Sequence, residues 1–251
     1  MTLSMRSEAG REFIEKTKYP RMGPSDQSQG LPQPPLQKEP EPGRTLIDLP
    51  SPTEVKVRPV DLTEAINARR SVRKYSDRPV TLDELSYLLW CTQGVQKVTP
   101  RPATLRTVPS AGARHAFETY VLANRVTGLA RGLYRYLAVG HKLVVHDLDE
   151  SVAERLAAAL LGQYVLQSAV TFVWAADAYR MFWRYQERVY RYLLLDAGHV
   201  CQNLYLAAQA VGAGCCAIGA FDDDELNIVL GLDGEDEFAV YGATLGKVDG
   251  A

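Results

Sequence analysis

Apolar residues recur at a helical spacing along residues 190–211, and this is the most regular pattern in the chain. Intervals of three and four residues separate the apolar positions 194, 197, 201, 204, 208 and 211. Between Tyr192 and Phe221 the ionisable side chains other than tyrosine and cysteine are Asp196 and His199. The pattern therefore predicts a long, central and buried helix, on which His199 is a core or interface histidine.

Two earlier helices are predicted from their start signals. Asp61 with Glu64 and Thr81 with Glu84 have the spacing of a capping box, and the second helix is expected to end near Gly94. The apolar faces consist of Leu62, Ala65 and Ile66 in the first helix and of Leu82, Leu85, Leu88 and Leu89 in the second. Further helices are predicted over residues 7–18, 152–161 and 222–230.

Short apolar runs predict the strands. Residues 170–176 (VTFVWAA) form a continuous run, so this strand is expected to be buried on both faces of a sheet. The other predicted strands cover residues 119–124, 134–139, 143–146, 215–221 and 238–247, and the second and third of these form a hairpin around Gly140 and His141. Residues 98–115, rich in Pro and Arg, predict a loop. Helices that flank a mixed sheet indicate an α+β or α/β protein.

Prolines divide the chain unevenly. Ten of the 14 lie between Pro20 and Pro59, where they fix φ and remove backbone donors. Residues 1–58 are therefore predicted to form an extended N-terminal arm, and residues 59–251 the globular domain. The arm is either a disordered tail or an ordered segment that wraps a neighbouring surface. In the second case the expected anchors are Leu46, Ile47 and Leu49.

The composition excludes several classes of protein. With 28 Lys and Arg against 30 Asp and Glu, the net charge of −2 argues against a nucleic-acid-binding protein. The sequence has no apolar run long enough to span a membrane, and its first 16 residues lack the hydrophobic region of a signal peptide, so a cytoplasmic location is expected. The four cysteines form no CxxC pair and have no histidine at metal-ligand spacing, which predicts reduced, buried thiols and no metal site.

One segment with candidate chemistry is a cluster of arginines. Arg69, Arg70, Ser71 and Arg73 place three guanidinium groups and a hydroxyl at the end of a predicted helix, which suits a phosphate or another anion. The same charges would also stabilise a helix C-terminus through its dipole. The cluster alone leaves both interpretations open.

Two other segments are rich in small residues. Residues 108–113 (VPSAGA) and 218–221 (IGAF) would let the backbone approach a flat ligand closely, although a plain turn and a tight strand exit are the simpler explanations of each segment alone. Residues 212–217 match the GxGxxA dinucleotide-binding pattern, but they follow a predicted helix and precede a strand, which is the reverse of the order this pattern requires. They are interpreted as a helix stop.

The order of these segments, with the long helix before the last of them, resembles the FMN-dependent nitroreductase family and most closely its SagB-type branch. The likeness lies in REFIEKTKYP, RRSVRKY, PSAGARHAFETYV and RYQERVYRYLLLDAGHVCQNLYLAA, and it covers nearly the whole chain. It implies a nitroreductase-like α+β fold with a mixed, mainly antiparallel sheet flanked by helices. It further implies an intertwined homodimer with an FMN at each subunit interface.

The resemblance implies which residues contact the flavin phosphate. Arg69, Arg70 and Ser71 would hold the phosphate and the pyrimidine side, with Arg73 close to them. Lys247, a basic residue near the C-terminus, would help to bind the phosphate.

Further flavin contacts are implied at the isoalloxazine ring. Backbone N–H groups of Gly219 and Ala220 would lie near the flavin N5 and O4. Gln163 precedes the strand over residues 170–176, where many members of the family place an amide against the isoalloxazine edge. The Pro-Ser segment would reach the flavin of the partner subunit through Pro109, Ser110 and Gly112.

Arg184 and Tyr185 fall where SagB-type dehydrogenases carry a Lys-Tyr pair that assists proton removal during azoline oxidation. Arginine cannot act as a base at accessible pH, but Arg184 is expected to lower the pKa of Tyr185 as a neighbouring cation. Alternatively, both residues belong to a helix surface near the mouth of the site.

The activity that the resemblance implies is an oxidoreductase in which FMN transfers a hydride between NADH, NADPH or another donor and an organic acceptor. One alternative is SagB-type dehydrogenation of a peptide azoline or a related biosynthetic intermediate, and another is a flavin-binding protein without catalysis. The expected partners are a second copy of the chain and a small-molecule or peptide substrate, with no nucleic acid and no membrane.

Overall fold

A seven-stranded sheet organises the computed structural model, which describes residues 7–249. Two short segments lie outside the described residues. They are residues 1–6, which belong to the predicted arm and to the stretch that lacks the hydrophobic region of a signal peptide, and residues 250–251 of the predicted domain. The strands, numbered β1 to β11, are Leu46–Asp48, Val80–Thr81, Val95–Val98, Thr104–Arg106, Phe117–Ala123, Val126–Thr127, Gly132–Leu137, Lys142–Asp147, Val170–Asp177, Ala213–Ile218 and Glu237–Lys247. The sheet has the order β1-β8-β7-β5-β9-β11-β10, and each neighbouring pair runs antiparallel.

Helices cover both faces of this sheet. The helices, numbered α1 to α7, are Glu8–Lys16, Leu62–Ala68, Leu82–Gln93, Val152–Ala159, Ala178–Tyr185, Val189–Ala210 and Asp223–Leu230. One hydrophobic core lies under α3 and α6, and a second lies under α4 and α7. On β9, Phe172 belongs to the first core and Val173 to the second, which confirms the predicted burial of this strand on both faces. Within residues 7–249, no helix has both the length and the hydropathy needed to cross a membrane.

The predicted α+β class and the start signals of the helices are confirmed. Thr81 and Glu84 form a capping box at the start of α3, with the Glu84 N–H 3.2 Å from Thr81 Oγ1 and the Thr81 N–H 2.9 Å from Glu84 Oε2. Asp61 caps α2, and its carboxylate accepts hydrogen bonds from the backbone of Thr63 and Glu64. The intertwined homodimer stays a prediction.

The predicted loop over residues 98–115 is wrong in part. β3 and β4 pair as an antiparallel hairpin across its first half, while residues 99–103 between them and the segment after β4 lack strand structure. Sequence periodicity also does not predict α5, whose eight residues directly follow β9. These elements are short: β3 and β4 have four and three residues on either side of a turn that contains Pro100 and Pro102, and α5 has eight.

The prediction that α6 is a buried helix is confirmed for one face only. Leu194 and Leu195 are 60% and 59% exposed, and the His199 side chain is 51% exposed, because no other element within residues 7–249 covers this face. The assignment of His199 to the core is therefore wrong, and its assignment to an interface stays a prediction. Leu62 and Ile66 of α2 are exposed as well, so of the predicted apolar face only Ala65 is buried.

The described part of the arm packs along the surface of its own chain, as the ordered alternative requires. β1 extends the sheet by pairing with β8, and Leu49 is buried beside it. Further along, the Gln27 N–H donates to the Trp183 carbonyl at 2.8 Å, and Trp183 Nε1 donates to the Leu31 carbonyl at 3.0 Å. The division into an arm and a domain at residue 59 stays a prediction.

A buried carboxylate, Glu118 of β5, joins the sheet to α5 and to the arm. It accepts hydrogen bonds from Arg135 Nη1 of β7 at 3.0 Å, from Arg180 Nη2 of α5 at 2.8 Å and from the Lys38 N–H at 2.8 Å. Arg135 also donates to the carbonyls of Lys38 and Glu39. Burial alone would raise the pKa of Glu118, but the Arg180 and Arg135 guanidinium groups and the Lys38 amide outweigh it and hold this pKa below its usual value.

Replacing Glu118→Gln is expected to lower the free energy of unfolding by about 3–5 kcal/mol, because it leaves the buried Arg135 guanidinium without a compensating charge and the buried Arg180 guanidinium with Asp177 alone. Urea denaturation measures this change. The matched control is Glu154→Gln, whose carboxylate pairs with Arg131 at an exposed position, and it should leave the unfolding midpoint unchanged.

The pH dependence of stability should also differ between Glu118→Gln and the wild type. The pKa of Glu118 is lower in the folded chain than in the unfolded chain, where a Glu carboxyl has a pKa of about 4.3. The stabilisation that Glu118 gives to the folded state is therefore fully present above the unfolded value and is lost as the pH falls through the lower folded value. Glu118→Gln should therefore lose less stability than the wild type on acidification. An equal loss in both proteins would contradict the assigned role of Glu118.

Candidate functional site

The arginine cluster lies where α2 ends, and its charges are not neutralised. The Arg69 guanidinium carbon is 5.2 Å from the centre of the Tyr205 ring. Arg70 donates to the carbonyls of Asn67 and Arg69, while Arg73 and Ser71 are exposed. Within residues 7–249, none of the three arginines forms an ion pair with a carboxylate. The cluster therefore has the charge and the exposure that an anionic group requires.

Tyr205 of α6 connects this cluster to the edge strand β10. Its hydroxyl is 2.9 Å from Ser71 Oγ and accepts a hydrogen bond from the Ala217 N–H at 2.8 Å. The Val72 N–H donates to the Cys215 carbonyl at 2.9 Å, so the segment after Arg70 runs beside β10. Sequence reasoning missed Tyr205, although a tyrosine on a predicted buried helix requires a partner for its hydroxyl. We call Arg69, Arg70, Ser71, Arg73 and Tyr205 the Arg69 group.

Gly219 and Ala220 follow the end of β10, and both are exposed. Neither backbone N–H donates a hydrogen bond within the described part of the chain, so both are available to a ligand. The Gln163 side-chain amide donates to the Ala220 carbonyl and to the Leu160 carbonyl. The structure therefore brings together three of the residues implied at the isoalloxazine ring.

Lys247 is placed differently from these residues. Its ammonium group is largely buried and donates to the Glu84 carboxylate and, at 2.6 Å, to the Val211 carbonyl. Lys247 is paired with Ala213 in the register of β10 and β11, so it lies at the opposite end of β10 from Gly219. The implied phosphate contact of Lys247 stays a prediction; the two bonds leave one of the three ammonium N–H donors for it.

The Pro-Ser segment forms a second group of candidate residues. Ser110 Oγ accepts a hydrogen bond from the His115 N–H at 2.9 Å, and the Ala111 N–H lies 3.3 Å from both carboxylate oxygens of Asp196 on α6. Pro109 precedes this turn and is exposed. Burial raises the pKa of Asp196, although the Ser110 hydroxyl and the Ala111 N–H partly offset this effect.

Gly112 brings this turn against the end of α5. It has a φ of +58°, and a Cβ atom there would lie 2.4 Å from the Tyr185 hydroxyl and 3.2 Å from Arg184 Nε. Only glycine therefore leaves room for this approach. We call Ser110, Gly112, Arg184, Tyr185 and Asp196 the Gly112 group. Sequence reasoning named its first four members from two separate motifs and missed Asp196 as the anchor of the turn.

Burial, more than the neighbouring Arg184, sets the pKa of Tyr185. Burial raises the pKa of Tyr185 above its ordinary value, and the Arg184 guanidinium only partly opposes this shift. The lowering effect expected of Arg184 is present, but it is outweighed by the burial of the ring, which also packs against Tyr192 with ring centres 4.7 Å apart. At neutral pH the hydroxyl therefore keeps its proton and can donate a hydrogen bond.

Both groups are attached to α6, but at different places along it. Asp196 and Tyr205 are nine residues apart, which corresponds to about 14 Å along the helix axis. Within one chain the predicted flavin contacts are therefore divided into two groups.

Three of the four cysteines are buried, and all four are unpaired. No cluster of three or more metal-ligating side chains occurs within residues 7–249.

Comparison with known proteins relates this chain to one family. The model of the nitroreductase family matches residues 66–247. A nitroreductase of Methanocaldococcus jannaschii is 38% identical over 185 residues, which are 73% of this chain and 88% of the archaeal protein. The trifolitoxin-processing protein TfxB of Rhizobium leguminosarum bv. trifolii is 31% identical over 136 residues, or 51% of this chain, and the match spans 36% of that protein.

A solved structure resembles nearly the whole chain. The E. coli microcin synthetase McbBCD complex with truncated pro-MccB17 bound contains a chain that matches with a TM-score of 0.62 and 15% sequence identity. The match covers 99% of this chain and 85% of that chain. At this identity the likeness concerns the fold, and its coverage includes the N-terminal arm.

Proposed function

The chain belongs to the nitroreductase family and is an oxidoreductase, and from this premise we propose that it binds FMN and transfers a hydride between NADH, NADPH or another donor and an organic acceptor. The Arg69 group carries the proposal. It holds three guanidinium groups without a carboxylate partner in residues 7–249, and the same strand that contacts it ends in two exposed backbone N–H groups. The relatives favour an enzyme over a flavin-binding protein without catalysis.

The residues present fit both ends of FMN. Arg69, Arg70 and Arg73 would neutralise the phosphate, and Ser71 would donate its hydroxyl hydrogen bond to it. The N–H groups of Gly219 and Ala220 would donate to the isoalloxazine edge, and the small size of these residues keeps that edge accessible. When bound, FMN supplies the hydride chemistry, while these residues bind and orient it.

We propose that the active form is a homodimer that joins the two groups of candidate residues. The exposed face of α6 carries Leu194, Leu195 and Gly198, where a second copy of the chain can pack closely. The Gly112 group of one subunit would then lie beside the Arg69 group of its partner, which accounts for the separation of the groups within one chain. The unpaired cysteines are in keeping with the reducing cytoplasm that we propose as its location.

A second candidate function is dehydrogenation of a cyclised peptide or a related biosynthetic intermediate. Two comparisons favour it: one relative is a protein that processes trifolitoxin, and the fold matches a chain of a microcin synthetase complex over nearly its full length. Tyr185 would act here through its protonated hydroxyl, which would bind and orient the substrate. The Arg184 guanidinium would be the positive charge next to this hydroxyl.

Replacing Arg69→Ala is expected to weaken FMN binding about tenfold or more, because a charge-assisted contact to the phosphate is lost while the fold persists. Flavin fluorescence titration measures the dissociation constant. The control Arg131→Ala removes an exposed arginine that pairs with Glu154 and should bind FMN as the wild type does. Unchanged FMN binding by Arg69→Ala would refute the phosphate contact.

Replacing Leu195→Glu is expected to convert the dimer into monomers and to reduce the FMN that copurifies, because it places a charge in the proposed interface. Analytical ultracentrifugation and the flavin absorbance measure the two effects. The matched control is Ile228→Glu on α7, since Ile228 is 69% exposed and lies outside the proposed interface. A Leu195→Glu protein that stays dimeric would contradict this interface.

Replacing Tyr185→Phe is expected to leave FMN binding unchanged and to lower peptide azoline oxidation at least tenfold, because the hydroxyl that orients the substrate is absent. Turnover of an azoline-containing peptide, followed by mass spectrometry, measures the effect. Tyr134→Phe removes a hydroxyl that donates to the Ala130 carbonyl at 2.8 Å, outside both groups of candidate residues, and serves as the control. Undiminished turnover by Tyr185→Phe would exclude this residue from the reaction.

A further inference from the structure

A cavity of about 430 Å³ lies between the arm and the junction of α5 and α6. Residues from 19–28 of the arm form one wall, and Arg184, Tyr185, Gln186 and Arg188 form the other. The lining contains two guanidinium groups and no carboxylate. Because Tyr185 also belongs to the Gly112 group, the cavity borders the candidate site.

Positive charge accumulates at this cavity, and the arginines there form no ion pair within residues 7–249. The Arg184 guanidinium lies over the Tyr185 ring, and no carboxylate within residues 7–249 pairs with it. Behind it, Arg114 is only 5% exposed and stacks on Trp183 at 5.2 Å. Arg114 Nε has no hydrogen-bond partner, and burial followed by the nearby Arg184 charge lowers the pKa of Arg114. A buried, unpaired guanidinium is costly unless an anion accompanies it.

Asp26 and Glu15 of the neighbouring arm do not supply that anion. Asp26 Oδ2 accepts a hydrogen bond from the Tyr179 hydroxyl at 3.0 Å. Glu15 pairs with Lys18 and, at 2.6 Å, with Arg21. Both carboxylates are thus engaged away from the arginines of the cavity.

The cavity has fixed walls. The Gln186 side-chain amide donates to the Pro24 carbonyl, and the Gln27 N–H donates to the Trp183 carbonyl at 2.8 Å. On the opposite side of the junction, the Arg188 guanidinium donates to the Thr17 carbonyl at 2.8 Å. These contacts hold the arm at a set distance from α5 and keep the cavity open.

We propose that this cavity binds an anionic oxygen group of the substrate, a carboxylate or a phosphate, with Arg184 and Arg188 as the anchoring cations and Arg114 adding to the positive field. The planar guanidinium group of Arg184 matches either group by paired hydrogen bonds. The arm thereby completes the substrate site, because it supplies the wall opposite Tyr185. The proposal rests on the proposed function only in naming the anion as part of the substrate.

The test is a titration of the full chain with acetate and, separately, with inorganic phosphate. Binding is followed by tryptophan fluorescence, since Trp183 stacks on Arg114. At least one anion should bind the wild type saturably, and Arg184→Gln should raise its dissociation constant at least tenfold. The anion that binds more tightly identifies the substrate group as a carboxylate or a phosphate. The difference between wild type and Arg184→Gln separates this cavity from phosphate binding at the Arg69 group.

Two controls keep the result decisive. Arg131→Gln removes an arginine outside the cavity and should bind as the wild type does. Arg114→Gln should stay folded without added anion, since it removes an unpaired buried charge, and should lose at least part of the anion-induced rise in Tm. If neither anion binds, or if Arg184→Gln binds as tightly as the wild type, the proposal is overturned. Flavin content, measured in the same samples, tests the proposed function separately.

Discussion

The buried carboxylate of Glu118 is the interaction on which the arrangement of the candidate site depends. It is bonded to Arg135 on the sheet, to Arg180 on α5 and to the Lys38 amide of the arm. An isolated carboxylate at this depth would be strongly unfavourable, so the three elements have to meet around it. α5 carries Arg184 and Tyr185 one turn beyond Arg180. The same ion network that fixes the arm therefore also fixes the residues that face the candidate site.

Helices α5 and α6 then position the two groups of candidate residues. α5 brings Tyr185 against the Gly112 turn, and Asp196 of α6 holds that turn by its backbone. Farther along α6, Tyr205 ties Ser71 to β10 and so places the arginine cluster beside the strand end. One helix thus positions both sets of residues, through Asp196 and Tyr205 at points about 14 Å apart along its axis, and its exposed leucines lie on the face that we propose as the dimer interface.

Much of the fold could be predicted from local pattern, whereas contacts between distant segments could not. The capping box at Thr81 and the continuous apolar strand β9 depend on neighbouring residues, and both are confirmed. The burial of α6 was overestimated because few charges lie on it, although apolar residues such as Leu195 also occur on faces open to a partner. The raised pKa of Tyr185 and the bond between Lys247 and Glu84 depend on tertiary burial, for which the sequence carries no local signal. The arginine motif and the small-residue segments were recognised only through their order along the chain.

The central claim is that this nitroreductase-family chain uses FMN for hydride transfer. The most direct measurement is the visible spectrum of the protein supplied with FMN and separated from the unbound excess, followed by anaerobic addition of NADH and then NADPH. We expect the protein to retain the absorption bands of oxidised flavin, and these bands should bleach with at least one of the two donors. A protein that retains no flavin after FMN is supplied would contradict the account.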